Sequence, residues 1–161
     1  MRRILVLSDS HGNLANMVAA VKAERPDSVI FLGDGWNDAS RLMQQYPELG
    51  IERVPGNCDF VVGEPMERIL EIEGFRVMIC HGHVYSVKMG LMRLQYAAQE
   101  KAVDVAMFGH THRVFYDKHN GVTYLNPGSI GTAGPLSPPS YGILTLDRAS
   151  GSITTDVTYM E

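Results

Sequence analysis

The sequence predicts an α/β fold whose C-terminal half becomes strand-rich and takes on α+β character. Three observations carry this. Val29-Ile30-Phe31-Leu32 is an apolar, strand-forming run that stops at Gly33-Asp34. The segment before it reads as strand, then helix, and the segments after Val114 read as short strands joined by hairpin signals. At 161 residues and 45% hydrophobic content, the chain is expected to form one domain, residues 1–161, with enough apolar material for a core.

Taken in order, Arg3 to Ser8 is a buried strand that runs into the turn formers Asp9-Ser10-His11-Gly12-Asn13. Leu14, Met17, Val18 and Val21 recur at helical spacing until Arg25-Pro26-Asp27 ends the helix. With the Val29 strand this makes a β-α-β unit, hence a parallel pair. A second helix is expected from Asp38, as its cap, to Tyr46 before Pro47, and a third strand from Ile51 to Val54, ending at Pro55-Gly56-Asn57-Cys58-Asp59. Met66 to Cys80 reads as a hairpin turning at Glu73-Gly74 and leading into His81-Gly82-His83. A helix from about Met89 to Lys101 follows, then a strand from Val103 to Phe108 that ends in Gly109-His110-Thr111-His112. Strands are expected at Val114 to Lys118, Val122 to Leu125, Tyr141 to Leu146 and Ile153 to Tyr159, with turns at Asn120-Gly121 and Ala149-Ser150-Gly151. Asn126 to Ser140, dense in Pro, Gly and Ser, reads as an ordered surface loop near the site.

Charge and cysteine content narrow the function classes. A formal net charge of -4 argues against extended binding to a nucleic-acid backbone, for which a basic face is usual. The two cysteines, Cys58 and Cys80, are too few for a disulfide framework, and Ile4 to Leu7 is too short an apolar run for a signal peptide or a membrane span. A cytoplasmic protein with no membrane association is the expectation, and homo-oligomerisation stays open.

Five successive strand ends finish in Asp9/His11, Asp34, Asn57, His81 and His110/His112, and only His119 of the six histidines lies outside these clusters. Each dipeptide alone is ordinary loop chemistry. Their joint recurrence at strand ends is not, because open α/β sheets place ligand sites at the carboxyl edge. A set mixing carboxylate, imidazole and amide oxygen suits manganese, iron, zinc or nickel rather than calcium. No closed Cys/His tetrahedron for a structural zinc can be assembled from two cysteines.

Asp9-Ser10-His11, Gly33-Asp34, Gly56-Asn57-Cys58, His81 and Gly109-His110-Thr111-His112 appear in the order of the calcineurin-like metallophosphoesterase superfamily, which the sequence resembles. The compact length, the Gly56-Asn57-Cys58-Asp59 loop, His81-Gly82-His83 and Asn126-Pro127-Gly128-Ser129 resemble its small bacterial and archaeal phosphodiesterase branch. The resemblance implies a β-sandwich flanked by helices and two divalent metal ions, manganese first, with nickel, iron or zinc as alternatives. It implies that Asp9, His11 and His112 hold one ion, that Asn57, His81 and His110 hold the other, and that Asp34 bridges them. Asn57, His81 and His83 are the candidate catalytic residues; His83 either serves the phosphate and its protons or is a supporting or surface histidine. Asn37 stands where the family often has Asp, so the neighbouring Asp38 either supports the site or caps its helix. Cys58 replaces a histidine that often contacts phosphate or donates a proton.

Paired ions about 3.5–4 Å apart can clamp a phosphoryl group and lower a bound water's pKa from about 16 toward roughly 7, which makes a metal-bound hydroxide the expected nucleophile. The expected function is hydrolysis of small phosphodiesters. Alternatives are a phosphomonoesterase or phosphatase, and a non-catalytic protein-interaction scaffold of the same fold, as in the eukaryotic retromer subunit.

Overall fold

A computed structural model describes residues 1–61, 63–131 and 137–160. The chain begins with β1 (Arg2–Leu7), α1 (Leu14–Glu24), β2 (Ser28–Phe31), α2 (Trp36–Gln45) and β3 (Gly50–Arg53). It continues with β4 (Glu67–Ile72), β5 (Phe75–Cys80), a short 3-10 turn (His83–Tyr85), α3 (Met92–Glu100), β6 (Val105–Met107), β7 (Val114–His119), β8 (Val122–Pro127), β9 (Ser140–Asp147) and β10 (Ser152–Tyr159). These strands form two five-stranded sheets, ordered β10-β9-β1-β2-β3 and β4-β5-β6-β8-β7. β1, β2 and β3 are parallel, as the β-α-β pattern requires, and β9 adds antiparallel to β1. The expected β-sandwich flanked by helices is thus present.

Strand alternation sorts β1 into two cores. Ile4 and Val6 join a cluster shared with Ile30, Val77, Ile79, Met107 and Leu125, which packs the sheets on each other. Leu5 and Leu7 turn the other way, onto Met17, Ala20 and Val21 of α1 and Leu42 of α2. Leu94 and Ala98 of α3 cover the outer face of the second sheet through Met78, Ala106 and Tyr124. Because β1 is covered on both faces, it reads as a continuous apolar run rather than an alternating one.

Local chemistry sets the boundaries. Asn13 caps α1, its Oδ1 accepting from Asn16 N at 3.0 Å. Glu73-Gly74 and Asn120-Gly121 each take positive φ at both positions, 51° with 81° and 50° with 80°, the geometry of two-residue hairpin turns. α2 starts at Trp36, so Asp38 lies inside its first turn and is not its cap. α3 begins only at Met92, because Val84 to Leu91 are taken up by the 3-10 turn and the bends after it.

The expected surface loop from Asn126 to Ser140 is corrected. Asn126 and Pro127 end β8, paired with Phe115 and Val114, Ser140 opens β9, and Gly128 to Gly131 are buried. Residues 132–136 lie outside the described residues. The polar side chains here are consumed internally: Ser129 Oγ donates to Asp9 O at 2.8 Å and Ser140 Oγ to Pro127 O at 2.7 Å. No helix among the described residues is long and apolar enough to cross a membrane.

Candidate metal centre

The loops after β1 and β2 are joined by Asp9 N donating to Gly33 O (2.9 Å) and His11 N to Asp34 O (3.1 Å). Those after β5 and β6 are joined by Gly109 N donating to His81 O (2.8 Å). Two further bonds cross between the sheets, from His81 Nδ1 to Leu32 O (2.8 Å) and from His110 N to Asp9 Oδ2 (3.1 Å). The strand ends of both sheets therefore converge on one place.

Close approach demands glycine there. A Cβ on Gly33, whose φ is +105°, would lie 2.7 Å from Gly56 N and 2.8 Å from His81 Nδ1. A Cβ on Gly109 would meet Ser8 Oγ at 2.0 Å and Asp9 Oδ2 at 2.7 Å. Asp9, His11, Asp34, His110 and His112 themselves adopt left-handed backbone, with φ of 56°, 44°, 60°, 70° and 60°. That conformation costs an L-residue about 1–2 kcal/mol and persists where the surroundings impose it, often at functional sites.

The structure brings together two ligand-type groups, Asp9 with His11 and His112, and Asp34 with His81 and His110. Asp9 Oδ1 lies 3.2 Å from His112 Nε2 and 3.7 Å from both His11 Nε2 and His81 Nε2. Asp34 Oδ2 lies 3.2 Å from His81 Nε2 and 3.7 Å from His11 Nε2, so it faces one imidazole from each group. The other oxygens are committed: Asp9 Oδ2 accepts from Ser8 Oγ at 2.6 Å, and Asp34 Oδ1 accepts from Cys58 N at 2.8 Å.

Whether this set fits a metal can be judged from its orphaned atoms. Asp9 Oδ1 and His81 Nε2 are buried without a hydrogen-bond partner among the described residues. The Leu32 carbonyl can only accept, so His81 carries its proton on Nδ1 and presents a bare Nε2 when neutral. A backbone carbonyl fixing the far ring nitrogen is the usual arrangement for a metal-ligating histidine. Buried, lone-pair-bearing atoms without partners are costly unless a cation satisfies them. The donor set therefore fits a divalent ion.

Proton affinities report the same crowding. Burial pushes the Asp9 carboxyl upward, but His11, His112, the His81 charge and the Ser8 hydroxyl outweigh it and hold it well below the usual carboxylate range. Asp34 is likewise lowered, its burial overridden by His81 and the Cys58 N–H. His11 is raised, chiefly by Asp9; His81 is raised despite its burial because Asp34 and Asp9 face it. His110 moves the other way, down to about 4, through burial, the His81 charge and Lys88. Burial and the His81 charge also lower His83.

Of the other sequence-derived candidates, Asn57 is exposed, and its Nδ2 donates to Cys58 Sγ at 3.6 Å, leaving Oδ1 as the atom free for a ligand. His83 sits in the 3-10 turn with ring centroids 5.5 Å from His81 and 6.1 Å from His110. The exposed Cys58 thiol groups with His11 and Asp34, and burial followed by nearby carboxylates raises its pKa. Asp38 does support the site, its Oδ2 accepting from Ser10 Oγ (2.6 Å) and Gly12 N (2.8 Å) and so holding the loop between Asp9 and Asn13.

Sequence reasoning missed Asp59. Its carboxylate accepts from Asp34 N (2.8 Å), Gly35 N (3.0 Å), Trp36 N (3.1 Å) and Gly56 N (2.9 Å), capping α2 and pinning the Asp34 loop to the Asn57 loop. It missed Asn126 as well, whose Nδ2 donates to Gly109 O (3.1 Å) and Thr111 Oγ1 (2.9 Å) beneath His110. The available signal was an aspartate three residues after Gly56, a spacing that lets a carboxylate close its own turn.

Comparison with known proteins agrees with this geometry. The calcineurin-like phosphoesterase superfamily domain matches residues 1–149. Probable metallophosphoesterase YsnB of Bacillus subtilis is 32% identical over 153 residues, covering 93% of this chain and 88% of its own. Phosphodiesterase YfcE of Escherichia coli is 28% identical over 175 residues, covering 93% and 91%. A crystal structure of a predicted phosphoesterase from Streptococcus pneumoniae superposes with a TM-score of 0.82 at 27% identity, over 98% of this chain and 89% of that one. Sequence order, sheet topology and the converging Asp and His side chains thus lead to one family, and this chain belongs to the calcineurin-like phosphoesterase superfamily.

Proposed function

We propose that the protein hydrolyses small phosphodiesters with two divalent ions, manganese first among them. Asp9, His11 and His112 hold one ion, and Asn57, His81 and His110 the other, with Asp34 between. The observation that carries this reading is that Asp34 Oδ2 faces His11 and His81 at once while Asp34 Oδ1 is tied to Cys58 N. One oxygen is therefore left to serve both groups. When bound, such a pair supplies Lewis-acid stabilisation of the phosphoryl oxygens and acidifies water.

The chain's own residues do the rest. Ser8 Oγ and His110 N hold Asp9 so that Oδ1 points at three imidazoles. Leu32 O keeps the His81 proton on Nδ1. His83, driven toward its neutral form by burial and the His81 charge, is placed to accept a proton or a hydrogen bond beside His81 and His110. The test is hydrolysis of bis(p-nitrophenyl) phosphate and p-nitrophenyl phosphate by protein loaded with manganese, nickel, iron or zinc. Metal-dependent turnover favouring the diester supports the proposal. Preference for the monoester would reassign it to the phosphatases, and absence of turnover with every ion would overturn it.

A further inference from the structure

Two grooves of different character border the candidate centre. On the His11 side, a space of about 350 Å³ is lined by Asp38, Arg41, Cys58 and Asp59. A second groove, of about 580 Å³, follows the segment that carries His110 and His112. Phe108, Thr111, Arg113 and Phe115 line it from that segment, and Val87, Lys88 and Leu91 from the stretch between the 3-10 turn and α3. The Phe108 and Phe115 rings stand 6.2 Å apart at a tilt of 51°. Lys88 and Arg113 are exposed, and no acidic side chain among the described residues lines this groove, in a chain whose net charge is -4.

Another groove, about 770 Å³ between Val21, Tyr46 and Leu49, lies by the C-terminal ends of α1 and α2. The site loops precede both helices, so about 15 Å of helix separates that groove from the centre. A small group attached to a phosphoryl at the candidate centre does not reach it.

We propose that the groove beside Phe108 and Phe115 is the subsite for the diester arm that stays on phosphorus, and that it selects an aromatic arm bearing a second negative charge, the chemistry of a nucleotide. This rests on the phosphodiesterase reading above. Thr111, which lines the groove, lies between His110 and His112, and the Lys88 charge acts on His110, so the groove adjoins the loop that carries these two ligands. Its ring gains by burial against Leu91 and Phe115, and its anion pairs with Lys88 and Arg113 in a site free of opposing carboxylates. Hydrolysis forms a P–O bond to water and breaks the P–O bond to the other arm. That arm departs toward the Cys58 side with the electron pair and a proton from the water, and the aromatic arm stays behind as its monoester.

Three esters with one leaving group test this on metal-loaded protein: the p-nitrophenyl phosphodiesters of methanol, of the thymidine 5′-hydroxyl, and of the 5′-hydroxyl of thymidine 3′-phosphate. The expected order of kcat/KM rises along that series. Lys88→Ala with Arg113→Ala should cut the advantage of the 3′-phosphorylated ester over the plain thymidine ester about tenfold or more, the loss of a charge-assisted contact. Phe115→Ala should cut the advantage of thymidine over methyl. Metal content of each variant shows whether the neighbouring His112 has been disturbed. A parallel titration with thymidine 3′,5′-bisphosphate needs no turnover, and the double variant should bind it about tenfold or more weakly. If wild-type protein hydrolyses none of the esters, the function fails while the titration still judges the groove. Turnover with equal rates along the series, or equal bisphosphate affinity in wild type and double variant, overturns the subsite alone.

Discussion

Replacing Asp59 tests whether one carboxylate organises two loops of the centre. It accepts four backbone N–H groups at 2.8–3.1 Å, from Asp34, Gly35, Trp36 and Gly56. Hydrogen bonds to a charged group are worth about 1.5–3 kcal/mol each, but these four share one half-buried side chain and water can reach part of the gap. A discounted loss of about 2–4 kcal/mol for Asp59→Ala is therefore expected, which includes the helix cap of α2. For a domain of this size that lowers Tm by about 4–16 °C. Asp59→Asn keeps one acceptor oxygen and turns an amide N–H toward the remaining donors, so it should lose roughly half as much. Thermal unfolding followed by circular dichroism measures the shift, and metal analysis of the folded variants measures the site. Both ions should bind more weakly, since Asp34 and Asn57 lie on the two loops released. A Tm within about one degree of wild type, or full retention of metal in Asp59→Ala, would refute the reasoning.

Three further outcomes are expected. Asp34→Asn should weaken both ions and abolish activity, whereas His11→Ala should mainly weaken one; two tightly held ions in Asp34→Asn, with normal turnover, would contradict the bridge. Stabilisation by added manganese should grow as pH rises through the histidine range. In the metal-free protein, His11 and His81 have pKa values raised above 6.5, so their pairing with Asp9 and Asp34 stabilises fully below that unfolded value and is lost as pH rises through the folded one. Metal replaces that lost pairing and competes with protons below it, so a metal-induced Tm shift that is flat between about pH 5 and pH 8 would be incompatible. Finally, the raised pKa of the Cys58 thiol makes it a poor proton donor, so aryl diesters should react far faster than alkyl esters at equal metal loading, by a margin on the order of 10²–10⁴-fold. Cys58→His should narrow that gap, and equal aryl and alkyl rates in the unmodified protein would point to His83 instead.

What the sequence determined by itself is local. Apolar runs that stop at or just before Asp9, Asp34, His81 and His110 announce strands whose ends carry the chemistry, because an unpartnered polar side chain is costly inside a strand covered on both faces. Glu73-Gly74 and Asn120-Gly121 declare their turns through backbone sterics alone. The tertiary structure decided how the polar atoms are shared out. Asp9 Oδ2 accepts from its neighbour Ser8, but it gains the second donor, His110 N, only because β6 delivers that amide across 101 residues, while Oδ1 stays orphaned. Asp38 serves Ser10 and Gly12 rather than its own helix, and Asp59 serves four amides, because the parallel pairing of β1, β2 and β3 stacks their following loops side by side. Asn126 and Ser129 are buried for a similar reason, since β8 and the start of β9 run beneath the centre. A hydrogen bond depends on atoms meeting within about 3 Å, and for partners 15 to 120 residues apart that meeting is set by strand order, which the local pattern of residues does not contain.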